Sequence, residues 1–302
     1  MTYHLTQKAA VEAEVKRLIR EQIDKAIYQL TETISEDSVE AVHGARKHFK
    51  KARSVLRLVR KTIDESVYQR ENGCLRQTGR LLAPVRDAQA RLESFDALME
   101  HYAAAIDINL FQELRLVLEQ YQQQMEAQVL GKDNLVASVI PQLQEMRSQL
   151  EEWHLQDSGW EALGPSFKRI YRQGRERFAV AYEQQDAQSF HHWRKRVKDL
   201  MYDLRMLKPL WPKLLDTLED EVHTLSNWLG DDHDLSELQG FLQVHRLNGV
   251  VDEPLLKVLM PLIEHRQDHL RQQARPLGER IYAEKPKRFI QRMGTYWQVW
   301  QP

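Results

Sequence analysis

The chain has 302 residues, of which 42% are hydrophobic and 29% are charged, and its formal net charge at pH 7 is −1. This composition is typical of a globular protein with a large core and excludes an intrinsically disordered chain. The single cysteine, Cys74, excludes an internal disulfide and a zinc site built from several cysteines. No apolar run approaches the roughly 20 residues of a transmembrane helix, and residues 1–18 lack an apolar signal-peptide core. The sequence therefore predicts a cytoplasmic protein.

Apolar residues recur at the 3.6-residue period of an α-helix along the whole chain, and runs of β-branched residues are few. This pattern predicts an all-α protein of about a dozen helices. Glycine and proline are expected to lie between the helices, at Gly73, Pro84, Gly131, Pro141, Gly164, Pro165, Pro209, Pro212, Gly249, Pro254 and Pro286. The stretch Ser158–Pro165 is the best candidate for a central connection. We therefore predict a first helical bundle over residues 1–157 and a second over residues 158–302.

The most distinctive predicted helix begins after Asp37, which together with Glu40 resembles an N-terminal capping box. Residues 43–61 contain eight Lys or Arg and no acid, although basic and acidic residues are balanced over the whole chain at 43 and 44. Apolar positions step by three and four to form a stripe for the core, made of Val42, Ala45, Phe49, Ala52, Leu56, Val59 and Ile63. A cationic stripe takes the same steps one residue further round the helix, at His43, Arg46, Lys50, Arg53, Arg57 and Arg60.

The same arrangement occurs again 148 residues later, which predicts duplication of a helical unit. The second cationic stripe again lies beside an apolar one, and its polar members are His191, Arg194, Lys198, Arg205 and Lys208. Met201 stands where the first copy has Arg53, so we expect weaker contacts from the second half at that point. A further match, between Leu81–Asp87 and Trp228–Asp234, has nearly the same offset.

Clustered cations of this kind are costly without a counter-anion, because neighbours about 6 Å apart repel by about 2–3 kcal/mol at an effective dielectric constant of about 20. A solvated helix face usually alternates the sign of its charges instead. The stripe from His43 to Arg57 extends over about 21 Å, so we expect its ligand to be extended. Since Arg, Lys and His donors suit phosphate oxygens, the repeated stripes predict a groove that binds a polyanion.

The doubled His-x-x-Arg-x-x-x-Lys pattern resembles that of the CHAD family (conserved histidine α-helical domain). The similarity extends to residues 81–87, 170–175 and 284–289. The resemblance implies two four-helix bundles related by a pseudo-two-fold axis, a basic central channel that binds inorganic polyphosphate, and an association with polyphosphate granules. Relatives are often fused to a triphosphatase module with a Glu-x-Glu-x-Lys strand. No such strand is predicted here, so the resemblance implies a binding protein without catalytic residues, metal or cofactor.

The stripes and the resemblance together predict the residues of a polyphosphate-binding site. These are His43, Arg46, Lys47, Lys50, Arg53, Arg57, Arg80, Arg20, Arg172, Arg175, His191, Arg194, Lys195, Lys198, Tyr202 and Arg205. Arg20, Arg172 and Arg175 are included because the first helices of two pseudo-symmetric halves would face the same channel. His192 is a second candidate histidine, although the spacing favours His191.

Two other functions stay open at this point. The same groove would suit a nucleic acid, but the aromatic residues that a single-strand binder uses for base stacking are not interleaved with the basic stripes. The other alternative is a metal-dependent phosphohydrolase centred on His233 and Asp234, since His-Asp pairs bind metals in some helical phosphohydrolases. Asp234 with Glu237 also fits a capping box, which would make Asp234 an N-cap residue.

Overall fold

The computed structural model describes residues 3–7, 9–132, 135–247 and 253–301, and within these ranges it contains eleven α-helices and no β-strand. The helices are α1 Val11–Thr31, α2 Ser38–Leu58, α3 Glu65–Leu81, α4 Ala83–Tyr102, α5 Gln112–Glu126, α6 Leu135–Gln149, α7 Gly159–Gln184, α8 Ala187–Leu207, α9 Pro212–Leu247, α10 Glu253–Ile281 and α11 Pro286–Trp300. The predicted all-α fold is confirmed, whereas the predicted break at Gly249 lies outside the described residues. No helix within the described ranges has both the length and the apolar character that crossing a membrane requires.

The order of the helices repeats along the chain with the same offset as the sequence motifs. Helices α1 and α2 correspond to α7 and α8, while α5 and α6 correspond to α10 and α11. Helix α2 begins where the sequence predicts, because the Asp37 carboxylate accepts a hydrogen bond from the Glu40 N–H at 2.9 Å. Asp186 caps α8 in the same way through the Ser189 N–H at 2.7 Å. The two basic helices therefore start from equivalent caps.

A proline explains why the first repeat has two helices, α3 and α4, where the second has only α9. Pro84 occupies the first turn of α4, where its missing N–H is tolerated. At the corresponding place the second repeat has Gly230 and Asp231 instead of a proline, and α9 continues without a break. Asp234 therefore lies inside a helix, and the prediction that it caps a new one is wrong.

Four other predicted breaks also lie inside helices, at Gly73, Pro141, Gly164 and Pro165. Pro165 removes one backbone donor from α7, but Leu163 and Phe167 are fully buried, and this packing keeps the segment helical. The connection between the repeats is accordingly residues 150–158, and α7 begins at Gly159 instead of after Pro165.

Both hydrophobic clusters of the core draw side chains from both repeats. The larger cluster includes residues of α1, α2, α3 and α6 together with residues of α7, α8, α11 and the first part of α9. The smaller cluster joins α4 and α5 to the second part of α9 and to α10. Each repeat therefore buries apolar surface against the other. The predicted boundary between residues 157 and 158 falls in the connection before α7, and the division into two four-helix bundles stays a prediction.

The two basic helices, α2 and α8, pack directly against each other through a polar contact that we call the junction. Arg57 Nη2 of α2 lies 2.6 Å from Oδ1 of the buried Asp199 of α8. The Ser54 hydroxyl of α2 donates a hydrogen bond to Asp203 of α8 at 3.1 Å. Burial, together with repulsion from Asp199, raises the pKa of Asp203 well above its usual range. The junction therefore joins the two repeats with a buried ion pair and a buried hydrogen bond.

Replacing Gly278 of α10 by Ala is expected to lower the free energy of unfolding by about 1–3 kcal/mol, because the added methyl group overpacks the core. A Cβ atom there would lie 2.8 Å from both Phe178 and Trp193, and the Trp193 side chain is fully buried. Gly240→Ala on α9 is the matched control, because nothing lies within 4 Å of its Cβ position. Its free energy of unfolding should rise by up to about 1 kcal/mol. Urea unfolding measures both changes, and equal effects at the two positions would contradict the close packing of α10.

Candidate functional site

Cations from both repeats face one another where α2 and α8 meet. Arg46 and Lys50 extend from α2, and Arg194 and Lys198 extend from the corresponding positions of α8. The charge of Arg194 lowers the pKa of Lys50, and the charge of Lys50 lowers the pKa of Lys198, so the two stripes converge here. The charge of Arg86 of α4 lowers the pKa of both lysines as well. We call these five residues the central cluster.

Each α2 or α8 arginine of the central cluster faces an aspartate of its own repeat. Arg46 Nη2 lies 3.7 Å from Asp87 Oδ1, and Arg194 Nη2 lies 3.9 Å from Asp234 Oδ1. Both distances are longer than the roughly 2.7–2.9 Å of a charge-assisted hydrogen bond. Arg46 also donates to the Gly79 carbonyl, but the buried Nε atoms of both arginines have no hydrogen-bond partner among the described residues. Arg194 forms no hydrogen bond among the described residues and Arg46 forms one, to Gly79, so the partly exposed guanidinium groups keep Nη donors that an added anion can use.

The two lysines of the central cluster have neither an ion pair nor a hydrogen bond among the described residues. Burial, followed by repulsion from Arg46 and Arg194, lowers the pKa of Lys50 to about 8. Burial, followed by repulsion from Arg194 and Lys50, lowers the pKa of Lys198 to about 7. Lys50 is exposed to solvent although protein atoms surround its ammonium group. An anion between these ammonium groups would favour their charged forms.

The two motif histidines lie at the edge of the central cluster and are held towards their neutral form. Burial lowers the pKa of His43, and the charge of Arg86 lowers it further. The centroid of the His191 ring lies 4.0 Å from that of His233. Burial lowers the pKa of His191 to about 4 and that of His233 to about 3, and neighbouring cations add to both shifts. Arg86 and His233 occupy corresponding positions of the two repeats. Each motif histidine therefore lies near the corresponding residue of its own repeat, His43 near Arg86 and His191 near His233.

Three predicted binding residues are engaged in contacts with other side chains of the protein, and only Arg57 among them pairs with a carboxylate of the other repeat. Arg57 belongs to the junction, and Arg205 Nε lies 2.6 Å from the carboxylate of the buried Glu219. Tyr202 is 7% exposed, and its ring meets the Tyr3 ring edge-on with 6.2 Å between centroids. These side chains have protein partners, so the C-terminal parts of the two stripes offer fewer free donors than the sequence predicts.

The other predicted residues of α2, α3 and α8 lie outside the central cluster. Arg53 donates a hydrogen bond to Asn72 of α3 at 2.9 Å, and burial, followed by repulsion from Arg57, lowers its pKa to about 10. Lys47, Arg80 and Lys195 are exposed. Lys195 lies near Arg194. Burial, followed by repulsion from Arg196 and then from Arg194, lowers the pKa of Lys195.

The predicted arginines of the first helices are not brought to the central cluster. Arg20 of α1 pairs with Glu151 in the connection between the repeats. Arg172 Nε of α7 lies 3.6 Å from Glu176 on the same helix, and both Arg172 and Arg175 are exposed. Packing of the buried face of α7 sets the rotation of this helix and leaves these two arginines towards solvent.

The structure also places cations at the site that the sequence analysis does not predict. Arg86 lies beside Lys50, and the alignment of the two repeats, which matches Arg86 with His233, is the signal that points to it. Arg169 of α7 lies near the C-terminal part of α2. Burial lowers the pKa of Arg169, and repulsion from arginines that include Arg57 lowers it further. No local pattern marks Arg169, since its position depends on how α7 packs against α2.

The fold and the site are those of a duplicated all-α domain with cations gathered from both repeats at its centre. The family model for the CHAD domain matches residues 17–243, and the chain belongs to the CHAD family. The resemblance drawn from the doubled motif is therefore confirmed. Comparison with curated proteins gives no match.

Two solved structures share the fold. PptA from Streptomyces chartreusis is 14% identical, with a TM-score of 0.64, and the match covers 91% of this chain and all of that one. The crystal structure of the CHAD domain from the plant Ricinus communis is 18% identical, with a TM-score of 0.56, and the match covers 95% of this chain and 96% of that one. At these identities the likeness concerns the fold alone.

Replacing Arg57 by Ala is expected to lower the free energy of unfolding by about 3 kcal/mol, because it removes the 2.6 Å partner of the buried Asp199. Arg196 still lies 3.0 Å from Asp199, so part of its charge stays compensated. Arg60→Ala, three residues further along, removes an exposed pair with Glu65 and a cation–π contact with the Tyr68 ring at 4.6 Å, and should change this free energy by about 1 kcal/mol or less. Thermal and urea unfolding compare the two variants, and equal losses would argue against a structural role for the junction.

Proposed function

We propose that this protein binds inorganic polyphosphate at the central cluster. The observation that carries the proposal is the pairing of Lys50 and Lys198, one from each repeat, which repel each other and form no ion pair or hydrogen bond among the described residues. The carboxylate of Asp234 acts on both lysines, but it also faces Arg194, so it offsets only part of this positive charge. Like charges brought together in this way raise the free energy of the folded protein unless a counter-anion binds. A polyanion with closely spaced charges removes this penalty, since it contacts both lysines at once.

The chemistry of the surrounding donors favours phosphate oxygens. Arg46 and Arg194 are partly exposed and lie 3.7 and 3.9 Å from their aspartates, and a guanidinium group forms strong charge-assisted hydrogen bonds with phosphate. The lowered pKa values of the two motif histidines at the edge, His43 and His191, favour the neutral imidazole, which still offers one N–H donor. The cluster therefore combines fixed guanidinium donors with two mobile ammonium groups, which suits a flexible chain of phosphates.

We propose that the protein does not catalyse a reaction at this site. His233 faces Arg194, Lys195 and Lys198, whose charges lower its pKa after burial. The same charges would repel a divalent cation that approached this imidazole. Asp234 lies 3.9 Å from Arg194, so its carboxylate is already directed at a cation of the protein. These contacts support a binding site over a metal-dependent phosphohydrolase centred on His233 and Asp234.

The aromatic residues nearest the stripes support polyphosphate over a nucleic acid. Phe49, Phe190 and Trp193 lie on the apolar faces of α2 and α8 and are at most 2% exposed, so they offer no surface for base stacking. Inorganic polyphosphate needs no such surface. We further propose, from the family resemblance, that the protein acts in the cytoplasm at polyphosphate granules.

Replacing Lys50 and Lys198 together by Ala is expected to weaken binding of long-chain polyphosphate by at least about a hundredfold, since each loses a charged hydrogen bond of roughly 1.5–3 kcal/mol. Binding should weaken steeply as salt rises, because the polyanion releases counterions when it binds. The slope of log affinity against log salt should fall by about one for each lysine removed. Isothermal titration calorimetry at several salt concentrations measures both quantities.

Lys257→Ala is the control for this experiment, because Lys257 is an exposed cation of α10 that pairs with Glu253. It should leave both the affinity and the salt slope unchanged. A Lys50→Ala/Lys198→Ala double variant that binds like the wild type would overturn the proposal. RNA that displaces polyphosphate as readily as polyphosphate displaces RNA would favour a nucleic-acid ligand. Phosphate release with Mg²⁺ or Mn²⁺ that Asp234→Ala abolishes would establish catalysis.

Polyphosphate affinity should fall as the pH rises above about 7, because binding must charge a lysine that is partly neutral in the free protein. The pKa of Lys198 is about 7 when nothing is bound, and a bound polyanion raises it. Below this pH Lys198 is already charged, so binding takes up few protons there. Above it the affinity should drop by up to about tenfold per pH unit for each lysine that takes up a full proton. The groups facing Lys198 are Arg194 on its own helix, Lys50 on α2, Arg86 on α4, and His233 and Asp234 on α9.

Lys198→Arg is the matched variant, because an arginine stays charged over the whole pH range. Its affinity should fall less steeply between about pH 7 and 9 than that of the wild type, and its binding should take up fewer protons. Calorimetry in two buffers of different ionisation enthalpy counts the protons. An equal proton uptake by both proteins would show that Lys198 does not titrate on binding.

A further inference from the structure

A second cavity lies between α7 and α8, outside the central cluster. Its volume is about 440 Å³, which falls within the roughly 300–1,000 Å³ of small-molecule sites. Helix α7 contributes Gln173, Glu176 and Arg177 to its lining, and α8 contributes His192, Lys195 and Arg196. No aromatic ring other than the imidazole lines it, so the cavity offers polar contacts and no platform for a base. We call this cavity the side pocket.

The charges of the side pocket are mainly positive and only partly compensated. Arg177 and Lys195 have neither an ion pair nor a hydrogen bond among the described residues. Arg196 donates to Gln173 Oε1 at 3.1 Å and lies 3.0 Å from Asp199, which fixes the position of its guanidinium group. Burial, followed by repulsion from Arg196, lowers the pKa of Lys195. The single acid, Glu176, already faces Arg172 at 3.6 Å.

We propose that the side pocket binds a short oligophosphate anion, held by Arg177, Lys195 and Arg196. A fixed guanidinium group with two adjustable cations around a compact cavity matches closely spaced phosphate oxygens. The volume is too small for an extended chain to lie fully inside it. The anion is either a free short phosphate or a segment of a longer chain that also occupies the central cluster. Only the second source depends on the proposed function.

The position of Lys195 connects the side pocket to the central cluster. Lys195 follows Arg194 in α8, so it lies about 100° further round the helix. Its charge lowers the pKa of both His191 and His233 at the edge of the central cluster. A chain that leaves the central cluster along α8 therefore meets Lys195 next. Occupation of both sites by one chain would raise its affinity through effective concentration, without any new contact.

The test uses inorganic tripolyphosphate and long-chain polyphosphate with the full chain and three sets of substitutions. The central variant is Lys50→Ala with Lys198→Ala, and the pocket variant is Arg177→Ala with Lys195→Ala. The control is Lys168→Ala, which removes an exposed cation of α7 that does not line the side pocket. All substituted side chains of the pocket variant are exposed, so the variant is expected to fold. Unfolding curves of every variant check this directly.

Tripolyphosphate should bind the central variant, and adding the pocket substitutions should weaken that binding by about tenfold or more, since charged hydrogen bonds are lost. Lys168→Ala should leave it within about twofold, because an isolated exposed cation contributes little. Two results would overturn the proposal. In the first, the pocket substitutions leave the affinity for tripolyphosphate unchanged. In the second, the central substitutions alone abolish tripolyphosphate binding.

Long-chain polyphosphate then identifies the source of the anion. A drop of about tenfold or more in long-chain affinity for the pocket variant supports a chain that spans both sites. Unchanged long-chain affinity, with tripolyphosphate binding lost, supports a free short phosphate. The two proposals fail separately. Pocket substitutions without effect reject the side pocket alone, whereas central substitutions that leave long-chain binding intact reject only the assignment of polyphosphate to the central cluster.

Discussion

The contact between α2 and α8 is the constraint on which the central cluster depends. Each helix carries a row of cations, and two such rows repel each other when they approach. The junction offsets this repulsion by placing the Asp199 carboxylate of α8 against Arg57 of α2, and the hydrogen bond from Ser54 to Asp203 adds a second contact between the helices. Since the acids are concentrated at the junction, the helices stay together while the cations at the other end of the stripes stay available.

One stripe therefore serves two purposes along its length. Near its C-terminal end Arg57 has a carboxylate partner at 2.6 Å, and Arg205 has one at the same distance in the second repeat. About three turns towards the N-terminus, Arg46 and Arg194 lie 3.7 and 3.9 Å from their aspartates. About two turns towards the N-terminus, the lysines form no ion pair or hydrogen bond among the described residues. The same residue types thus stabilise the fold where a carboxylate lies within hydrogen-bonding distance, and they stay available for an anion where the carboxylate is farther away.

Duplication accounts for the symmetry of the site, and later divergence accounts for its asymmetry. The pairs Arg46–Asp87 and Arg194–Asp234 occupy equivalent places, as does the contact that each motif histidine makes with α4 or α9. The first repeat nevertheless supplies more positive charge, because Arg86 stands where the second repeat has His233. Met201, which replaces the equivalent of Arg53, is 4% exposed and has become part of the core.

Several features of the fold follow from short-range patterns, and the predictions based on them are confirmed. The helical period predicts the all-α class, and the Asp37 cap predicts the start of α2. Predictions that treat a single proline or glycine as a helix end fail at Pro165, because burial of its neighbours outweighs one lost backbone hydrogen bond. The assignment of Arg20 and Arg172 assumes a helix rotation, which depends on packing against other helices and has no local signal.

The sequence by itself determined the helices, their duplication and the two cationic stripes, because each of these is a periodic property of neighbouring residues. The tertiary structure alone decided which cations keep a free charge. Arg57 and Lys50 belong to the same stripe, yet one meets a buried carboxylate and the other meets a lysine of the opposite repeat. The electrostatic environment of a side chain is set by residues distant in sequence, so only the packing of the helices could separate the structural cations from those free to bind.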